Sequence, residues 1–265
     1  MKKWVSILLV LMLVGSMSTV AFAEDTITES SGEATQNVMA SYSEGNGEDD
    51  VVVSVDIAWE GLNFTYNEAS HPIWNPDTHS YDDSDVREAG WAVSDGKVII
   101  TNHSNRFLSA GISYEQNSGY ESADMVFSAK ITNDILVGNA DDGTGEEQSV
   151  TIKVVPKGTI PNNISDDTAI GSVTVTIRTI EDSVNDTAIS IVFGTVQTYI
   201  TGMEHYGLIS DGTDKSYGEL YVTQNAADAL SDKLSEISYG DSSEEAIQAL
   251  NVLIASLYDS YQIKQ

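Results

Sequence analysis

The chain has 265 residues, no cysteine, and 41 acidic against 12 basic side chains, which gives a formal net charge of −29 at pH 7. A surface this acidic repels phosphate backbones and anionic lipids, which argues against nucleic-acid binding and direct membrane binding. Without cysteine there is neither a disulfide nor a lipid-modified thiol, so an apolar core has to supply the stability.

Residues 1–23 have the three parts of a secretory signal peptide: two early lysines, an apolar run that begins at Trp4, and the ending Ala21-Phe-Ala23. We predict cleavage after Ala23. The alternative is an uncleaved anchor, because the stretch is nearly long enough to span a bilayer. Cleavage removes two lysines and no acid, so the net charge of the mature chain becomes −31. The sequence predicts no membrane insertion after cleavage, and a chain that is released or held at the surface by partners.

Residues 24–50 hold eight acids, no base and many small polar residues. Low hydrophobicity combined with high net charge prevents collapse, so this segment is predicted to be a disordered acidic linker.

Short runs rich in β-branched residues follow, separated by Gly, Asn and Asp. Asp95-Gly96 is a strong hairpin signal, and residues 172–177 alternate polar and apolar side chains with the period of a strand. Strands that follow one another without helices favour an antiparallel β-sandwich. Residues 189–200 are interpreted as one long strand or two short ones. The predicted sandwich domain therefore covers 51–202, and 203–222 form a connector.

The C-terminal segment, residues 223–265, is predicted to be a helical hairpin. Leu230, Leu234 and other apolar residues recur at helical spacing up to the stop signal Gly240, and residues 241–244 resemble a helix N-cap. Two short amphipathic helices are too small to be stable alone. They are expected to pack either on the sandwich or on another chain.

Aromatic, amide, carboxylate and imidazole side chains are concentrated between residues 74 and 105. Such a mixture suits a carbohydrate site, because a flat ring stacks on a sugar while polar groups bind its hydroxyls. The alternative is that the tryptophans belong to the core or fix loops, and that Asn and Asp satisfy turns. The candidate ligand-binding residues are Trp74, Asn75, Asp77, His79, Tyr81, Trp91, Asn102, His103 and Asn105.

Two acidic loops are candidates for Ca²⁺, which prefers several carboxylate oxygens. The second loop only partly resembles an EF-hand, because Gly143 comes one position too early and the glutamate at position twelve is missing. Zinc held by three histidines with Asp77 is a further hypothesis, although the spacing matches no compact zinc motif. The candidate calcium ligands are Asp82, Asp83, Asp85, Asp141 and Asp142, and the three histidines are His71, His79 and His103.

The sequence contains no G-x-S-x-G elbow, no phosphate-binding glycine loop and no cysteine nucleophile. Carboxylate pairs carry no information in a chain with 41 acids. We therefore predict a protein that is not an enzyme.

Several runs resemble a family of uncharacterised secreted and surface proteins of Gram-positive, gut-type bacteria, over about residues 51–180. These runs are Trp74-Asn-Pro-Asp-Thr-His-Ser-Tyr81, Gly90-Trp91, Ile99-Ile-Thr-Asn-His-Ser-Asn105, Pro156-Lys-Gly158 and Ile170-Gly-Ser-Val-Thr-Val-Thr-Ile177. The resemblance implies an Ig-like β-sandwich and a cell-envelope setting, but supplies no activity.

Together these features predict a mainly β protein, an antiparallel Ig-like β-sandwich with a small C-terminal α-helical hairpin. The predicted function is that of a secreted, non-enzymatic module of the cell envelope or extracellular space, active in adhesion, assembly or a structural role. Its partner would be a protein or a glycan at the cell surface. The alternative is a carbohydrate-binding module that uses Trp74, Trp91 and nearby polar residues.

Overall fold

The computed structural model describes residues 52–84, 86–129, 134–161, 164, 167–180 and 187–265. Within these ranges the protein is mainly β, with several antiparallel sheets and three helices, as predicted for the fold class at this coarse level. The predicted signal peptide (1–23) and linker (24–50) lie outside the described residues, and so does Asp85.

The strands are short, and turns rich in glycine and asparagine separate them. The described strands are β1 (Val55–Glu60), β2 (Tyr66–Asn67), β3 (Ile73–Asn75), β4 (Ser80–Asp82), β5 (Gly90–Trp91), β6 (Lys97–Asn102), β7 (Leu108–Gln116), β8 (Ala123–Phe127), β9 (Asp134–Val137), β10 (Gln148–Gly158), β11 (Gly171–Thr179), β12 (Leu220–Tyr221) and β13 (Gln262–Ile263). The helices are α1 (Ala188–His205), α2 (Gln224–Ser235) and α3 (Glu244–Ser260).

Two antiparallel sheets form the body of the protein. One has the strand order β1-β6-β10-β8 and the other the order β11-β7-β9. Alternate side chains of each strand point inward, so Val98, Ile100 and Ile152 of the first sheet and Leu108 and Ile135 of the second are fully buried. These residues belong to one continuous apolar cluster. The two sheets therefore share a single core.

The prediction of strand structure at residues 189–200 is wrong, because this segment lies within helix α1. Thr187 caps the helix by accepting a hydrogen bond from the Ser190 backbone N–H, and the helix continues past residue 202 to His205. The buried residues Val192, Val196 and Tyr199 follow helical spacing. The many β-branched residues in this segment favour a strand, but burial of one helical face outweighs that local preference.

The predicted C-terminal helices are confirmed as α2 and α3. Ser243, inside the predicted capping segment, caps α3 by accepting a hydrogen bond from the Ala246 N–H. Leu250, Leu253 and Leu257 of α3 are fully buried, and α3 packs on strands β9 and β10 of the same chain as well as on α1 and α2. We call α1, α2 and α3 the helical layer.

None of the described helices is both long and apolar enough to cross a membrane.

The helical layer covers the outer edge of β9. Strand β9 pairs with β7 in the register Ala110↔Ile135 and Ser109↔Leu136. The backbone N–H of Leu136 donates to the Tyr258 hydroxyl at 2.6 Å, and the Tyr199 hydroxyl donates to the Asp134 carbonyl at 3.0 Å. Side chains of α1 and α3 therefore bind backbone groups that would otherwise be open to another strand.

Burial affects the tyrosines at this contact. Tyr258 is 1% exposed, and its surroundings raise the pKa of its hydroxyl well above the ordinary value, chiefly because the charged form would lose its hydration. The Tyr258 hydroxyl therefore stays neutral across the physiological range and keeps its hydrogen bond with β9.

Candidate functional site

A long two-stranded arm extends from the body between residues 66 and 91. At its base Tyr66 pairs with Trp91, further along Ser70 bridges to Arg87, and near the tip β3 pairs with β4. We call residues 66–91 the arm, and the structure describes all of it except residue 85.

Trp91 fixes the base of the arm to the body. Its indole N–H donates to the Gly158 carbonyl at 3.0 Å, and its ring meets Tyr66 edge-to-face with centroids 5.0 Å apart. Both rings are half-buried. The N–H of Ala92 continues the pairing by donating to Thr65 O at 2.8 Å. Trp91 thus holds the arm in position and has its polar atom occupied.

Trp74 and Tyr81 form the tip of the arm and face each other across β3 and β4. Their ring centroids lie 5.2 Å apart in an edge-to-face arrangement, and 50% of Trp74 and 68% of Tyr81 are exposed. Ile73 is also 68% exposed and lies on the opposite face of the ribbon, because neighbouring residues of a strand alternate. Both faces of the tip therefore present a large apolar side chain to solvent.

The turn that joins β3 to β4 is built by its own polar side chains. The Asn75 side-chain oxygen accepts hydrogen bonds from the backbone N–H groups of Asp77 (2.9 Å) and Thr78 (3.4 Å). His79 has a positive φ of 49°. Such a turn brings β3 and β4 together and helps to hold the two aromatic residues opposite each other.

The arm is acidic, because residues 66–91 include six Asp and Glu side chains and a single Lys or Arg side chain, Arg87. Asp82, beside Tyr81, accepts hydrogen bonds from Ser84, and these hold the pKa of its carboxyl below the usual value. The tip therefore combines exposed aromatic and aliphatic surface with acidic side chains.

Trp74 and Trp91 lie at different ends of the arm. Tyr66, which pairs with Trp91, precedes Trp74 by eight residues. Eight residues span up to about 26 Å at the rise of a β-strand. The candidate ligand residues near the tip are Trp74, Asn75, Asp77, His79 and Tyr81, whereas Trp91 belongs to the base.

Asn102 is fully buried in the body. Its side-chain amide donates to the carbonyls of Arg106 (2.8 Å) and Gly138 (2.6 Å), and its oxygen accepts from the Ser104 N–H. Asn105 accepts a hydrogen bond from the Val52 N–H at 3.0 Å. These amides organise the chain around them, which is what the alternative interpretation expects of Asn in turns.

His103 lies on the surface between two carboxylates. Its Nε2 is 3.1 Å from Asp56 Oδ2 and its Nδ1 is 3.7 Å from Glu147 Oε2. Both ring nitrogens face carboxylates of the body and not the aromatic tip. His103 joins β1 to the loop before β10 instead of extending the surface formed by Trp74 and Tyr81.

The candidate calcium ligand Asp142 is buried and bound to donors of the protein itself. Its Oδ1 accepts from the Thr144 N–H and hydroxyl, and its Oδ2 accepts from the amides of Gln148 (3.2 Å) and Asn251 (2.9 Å). Burial raises the pKa of Asp142, but the hydrogen bonds from Thr144 and Asn251 lower it by more, so the pKa lies below its usual value.

Asn251 of α3 extends this network into the loop after β9. It accepts from the Asn139 N–H at 2.9 Å and donates to the Asn139 carbonyl at 2.8 Å. A side chain on Gly138 would place its Cβ 2.6 Å from the Asn251 oxygen, so only glycine permits this approach. The network therefore fastens the helical layer to the β9–β10 loop, a role that the sequence does not reveal.

Within the part of the chain that the structure describes, no three carboxylate or histidine side chains group closely enough to hold a metal ion. Asp82 and Asp83 lie on the exposed arm, Asp85 lies outside the described residues, and Asp141 donates its backbone N–H to Asn139. Calcium and zinc at these residues stay hypotheses.

The exposed residues Ile73 and Val86 (68% and 48% exposed) belong to the arm surface, and the sequence did not single them out. The sequence does give one indication of their exposure: neither residue lies in a run of alternating polar and apolar residues, as a strand residue that faces the core would.

No protein family, curated protein or solved structure matches this chain.

Proposed function

We propose that the chain is an exported, non-enzymatic module of the cell envelope or extracellular space, built on an Ig-like β-sandwich. Its role is adhesion or assembly, and the arm is the surface that contacts its partner. The observation that carries this proposal is the tip of the arm, where Trp74 and Tyr81 are held against each other and left half or more exposed.

The exposure of the tip is costly unless it serves a contact. A large apolar side chain gains about 1.5–3 kcal/mol when it leaves water, and an isolated two-stranded hairpin is marginal by itself. Ile73, Trp74 and Tyr81 are 68%, 50% and 68% exposed, so they forgo about half or more of that gain in the free protein. Aromatic anchors with a polar rim are typical of binding surfaces, and here the neighbouring carboxylates supply the rim.

The experiment compares retention of the purified chain on isolated envelopes of the producing cells with that of the double variant Trp74→Ala/Tyr81→Ala. We expect retention to fall at least about tenfold, because aromatic anchors at contact centres contribute about 2 kcal/mol or more each. Val252→Ala is the matched control, since Val252 is also an exposed apolar residue (57%) but lies on α3. Equal retention of the double variant and the wild type would contradict the proposal.

A glycan partner is the second candidate. It is favoured by the half-exposed Trp74 ring next to a turn rich in hydroxyl, amide and carboxylate groups, including Thr78 and Ser80. A glycan array probed with the wild type and with Trp74→Ala separates the two candidates. Binding that depends on Trp74 supports a glycan ligand, whereas retention on envelopes without any glycan signal supports a protein partner.

A further inference from the structure

The two outer edges of the sheet β11-β7-β9 differ in what binds their backbone groups. The hydrogen bonds Asn117 N–H to Ile170 O (2.9 Å) and Ile180 N–H to Phe107 O (3.2 Å) fix which residues of β11 face β7. The register between them is unbroken over nine pairs. Because antiparallel pairs alternate, even-numbered residues of β11 bind β7 and odd-numbered residues turn their N–H and C=O groups outward.

The same alternation identifies the outward groups of β9 as those of Asp134 and Leu136. These are the groups that Tyr199 and Tyr258 of the helical layer bind. Among the described residues, β11 pairs with β7 on one side. The groups turned outward belong to Gly171, Val173, Val175, Ile177 and Thr179.

Strand β11 also lacks the features that protect other edges of this protein. The edge strand β1 carries exposed Asp56 and Glu60, and the edge strand β8 is five residues long and carries exposed Asp124. In contrast, β11 has nine residues, no acid, no proline and one base, Arg178. A long edge of β-branched residues with few charges is a ready template for pairing with another strand.

We propose that β11 is an interface for a second copy of this chain, with the two β11 strands pairing antiparallel across a two-fold axis. Two strands can pair only through backbone groups that point outward. The register must therefore place odd-numbered residues of one β11 opposite odd-numbered residues of the other. The register centred on Val175 is the one that pairs all nine residues. It sets Val173 against Ile177 and Thr174 against Thr176 of the other copy, and joins the two sheets into one of six strands.

The charge pattern favours a second copy at this strand. Two chains of net charge −29 repel each other, so they associate most easily where no carboxylates oppose. In the register centred on Val175, Arg178 lies opposite Ser172 and no like charges meet. Two β1 strands centred on Ala58 would instead set Asp56 against Glu60, which is destabilising.

The test is sedimentation equilibrium of the purified full chain at low and high salt, about 0.05 and 0.5 M, where screening differs strongly. We expect a monomer–dimer equilibrium whose dimer fraction rises with salt. The double variant Thr174→Glu/Thr176→Glu places like charges opposite each other across the pair, and should weaken the dimer at least about tenfold. Ala58→Glu on β1 is the control and should leave the equilibrium unchanged.

A charge-swapped variant distinguishes a weakened interface from a variant that simply folds poorly. Thr174→Lys/Thr176→Lys, mixed with the double glutamate variant, should restore a dimer, since opposite charges then face each other. A wild-type chain that stays monomeric at all concentrations and both salt levels would overturn the inference. So would a dimer that the glutamate substitutions leave intact, because the contact would then lie elsewhere.

Discussion

The helical layer and the arm both rely on aromatic residues but place them in opposite environments. In the helical layer Tyr199 and Tyr258 are buried, and their hydroxyls bind backbone groups of β9. In the arm Trp74 and Tyr81 contact each other and are exposed. The first arrangement stabilises the fold and closes a sheet edge, whereas the second leaves apolar surface for a partner.

The contrast separates residues that maintain the structure from residues that contact other molecules. A substitution of a buried residue in the helical layer should change the free energy of unfolding, and one at the tip of the arm should not.

The largest expected effect comes from Leu257→Ala in α3. Leu257 is fully buried, so its truncation leaves a cavity and should lower the free energy of unfolding by about 2–5 kcal/mol. Urea unfolding followed by circular dichroism measures the change. Val252→Ala on the exposed face of the same helix should change it by about 0.5 kcal/mol or less. Similar losses for both variants would show that the helical layer is not packed as described.

Asn251→Ala should lower the free energy of unfolding by roughly 2–4 kcal/mol. It leaves the backbone N–H and carbonyl of Asn139 without their partner and removes one of the two amide donors to Asp142 Oδ2. Urea unfolding again provides the measurement. A loss below about 0.5 kcal/mol, the size of a neutral surface change, would mean that the network does not fasten the helices to the β9–β10 loop.

Trp91→Phe and Trp74→Phe form a matched pair within the arm. The Trp91 variant loses the hydrogen bond to Gly158 and should lower the free energy of unfolding by about 1 kcal/mol. The Trp74 variant loses no described hydrogen bond and should change it by less than about 0.5 kcal/mol. The reverse order in thermal melts would place the structural tryptophan at the tip.

The smallest effect is a pH dependence of the stability, which is absent near neutral pH and arises only in acid. The folded pKa of Asp142 lies below its ordinary value of 3.8, so its ionised form stabilises the fold fully above that value. This contribution is lost as the pH falls through the folded pKa. The stability difference between the wild type and Asp142→Asn should therefore be constant at neutral pH and shrink below about pH 4. A difference that stays constant in acid would contradict the assignment.

The sequence predicts an antiparallel β architecture and both C-terminal helices, because these follow local periodicity and capping. The hairpin predicted at Asp95-Gly96 is wrong, because β6 pairs with β1 and β10, and β5 pairs with β2. The sequence also failed at α1, where β-branched residues favour a strand until the burial of Val192, Val196 and Tyr199 is known. It could not separate Trp74 from Trp91, since the difference depends on strand pairing over the whole arm. The network of Asp142 and Asn251 joins residues 109 positions apart, so local composition suggested calcium instead.

The most direct test of the account is retention on isolated envelopes, measured for fully folded samples of Trp74→Ala/Tyr81→Ala and of Asn251→Ala. The account predicts that the arm variant keeps its stability and loses retention, and that the Asn251 variant loses stability and keeps retention. Retention that survives in the arm variant, or falls with Asn251→Ala while the sample is folded, would contradict the assignment of the arm as the contact surface.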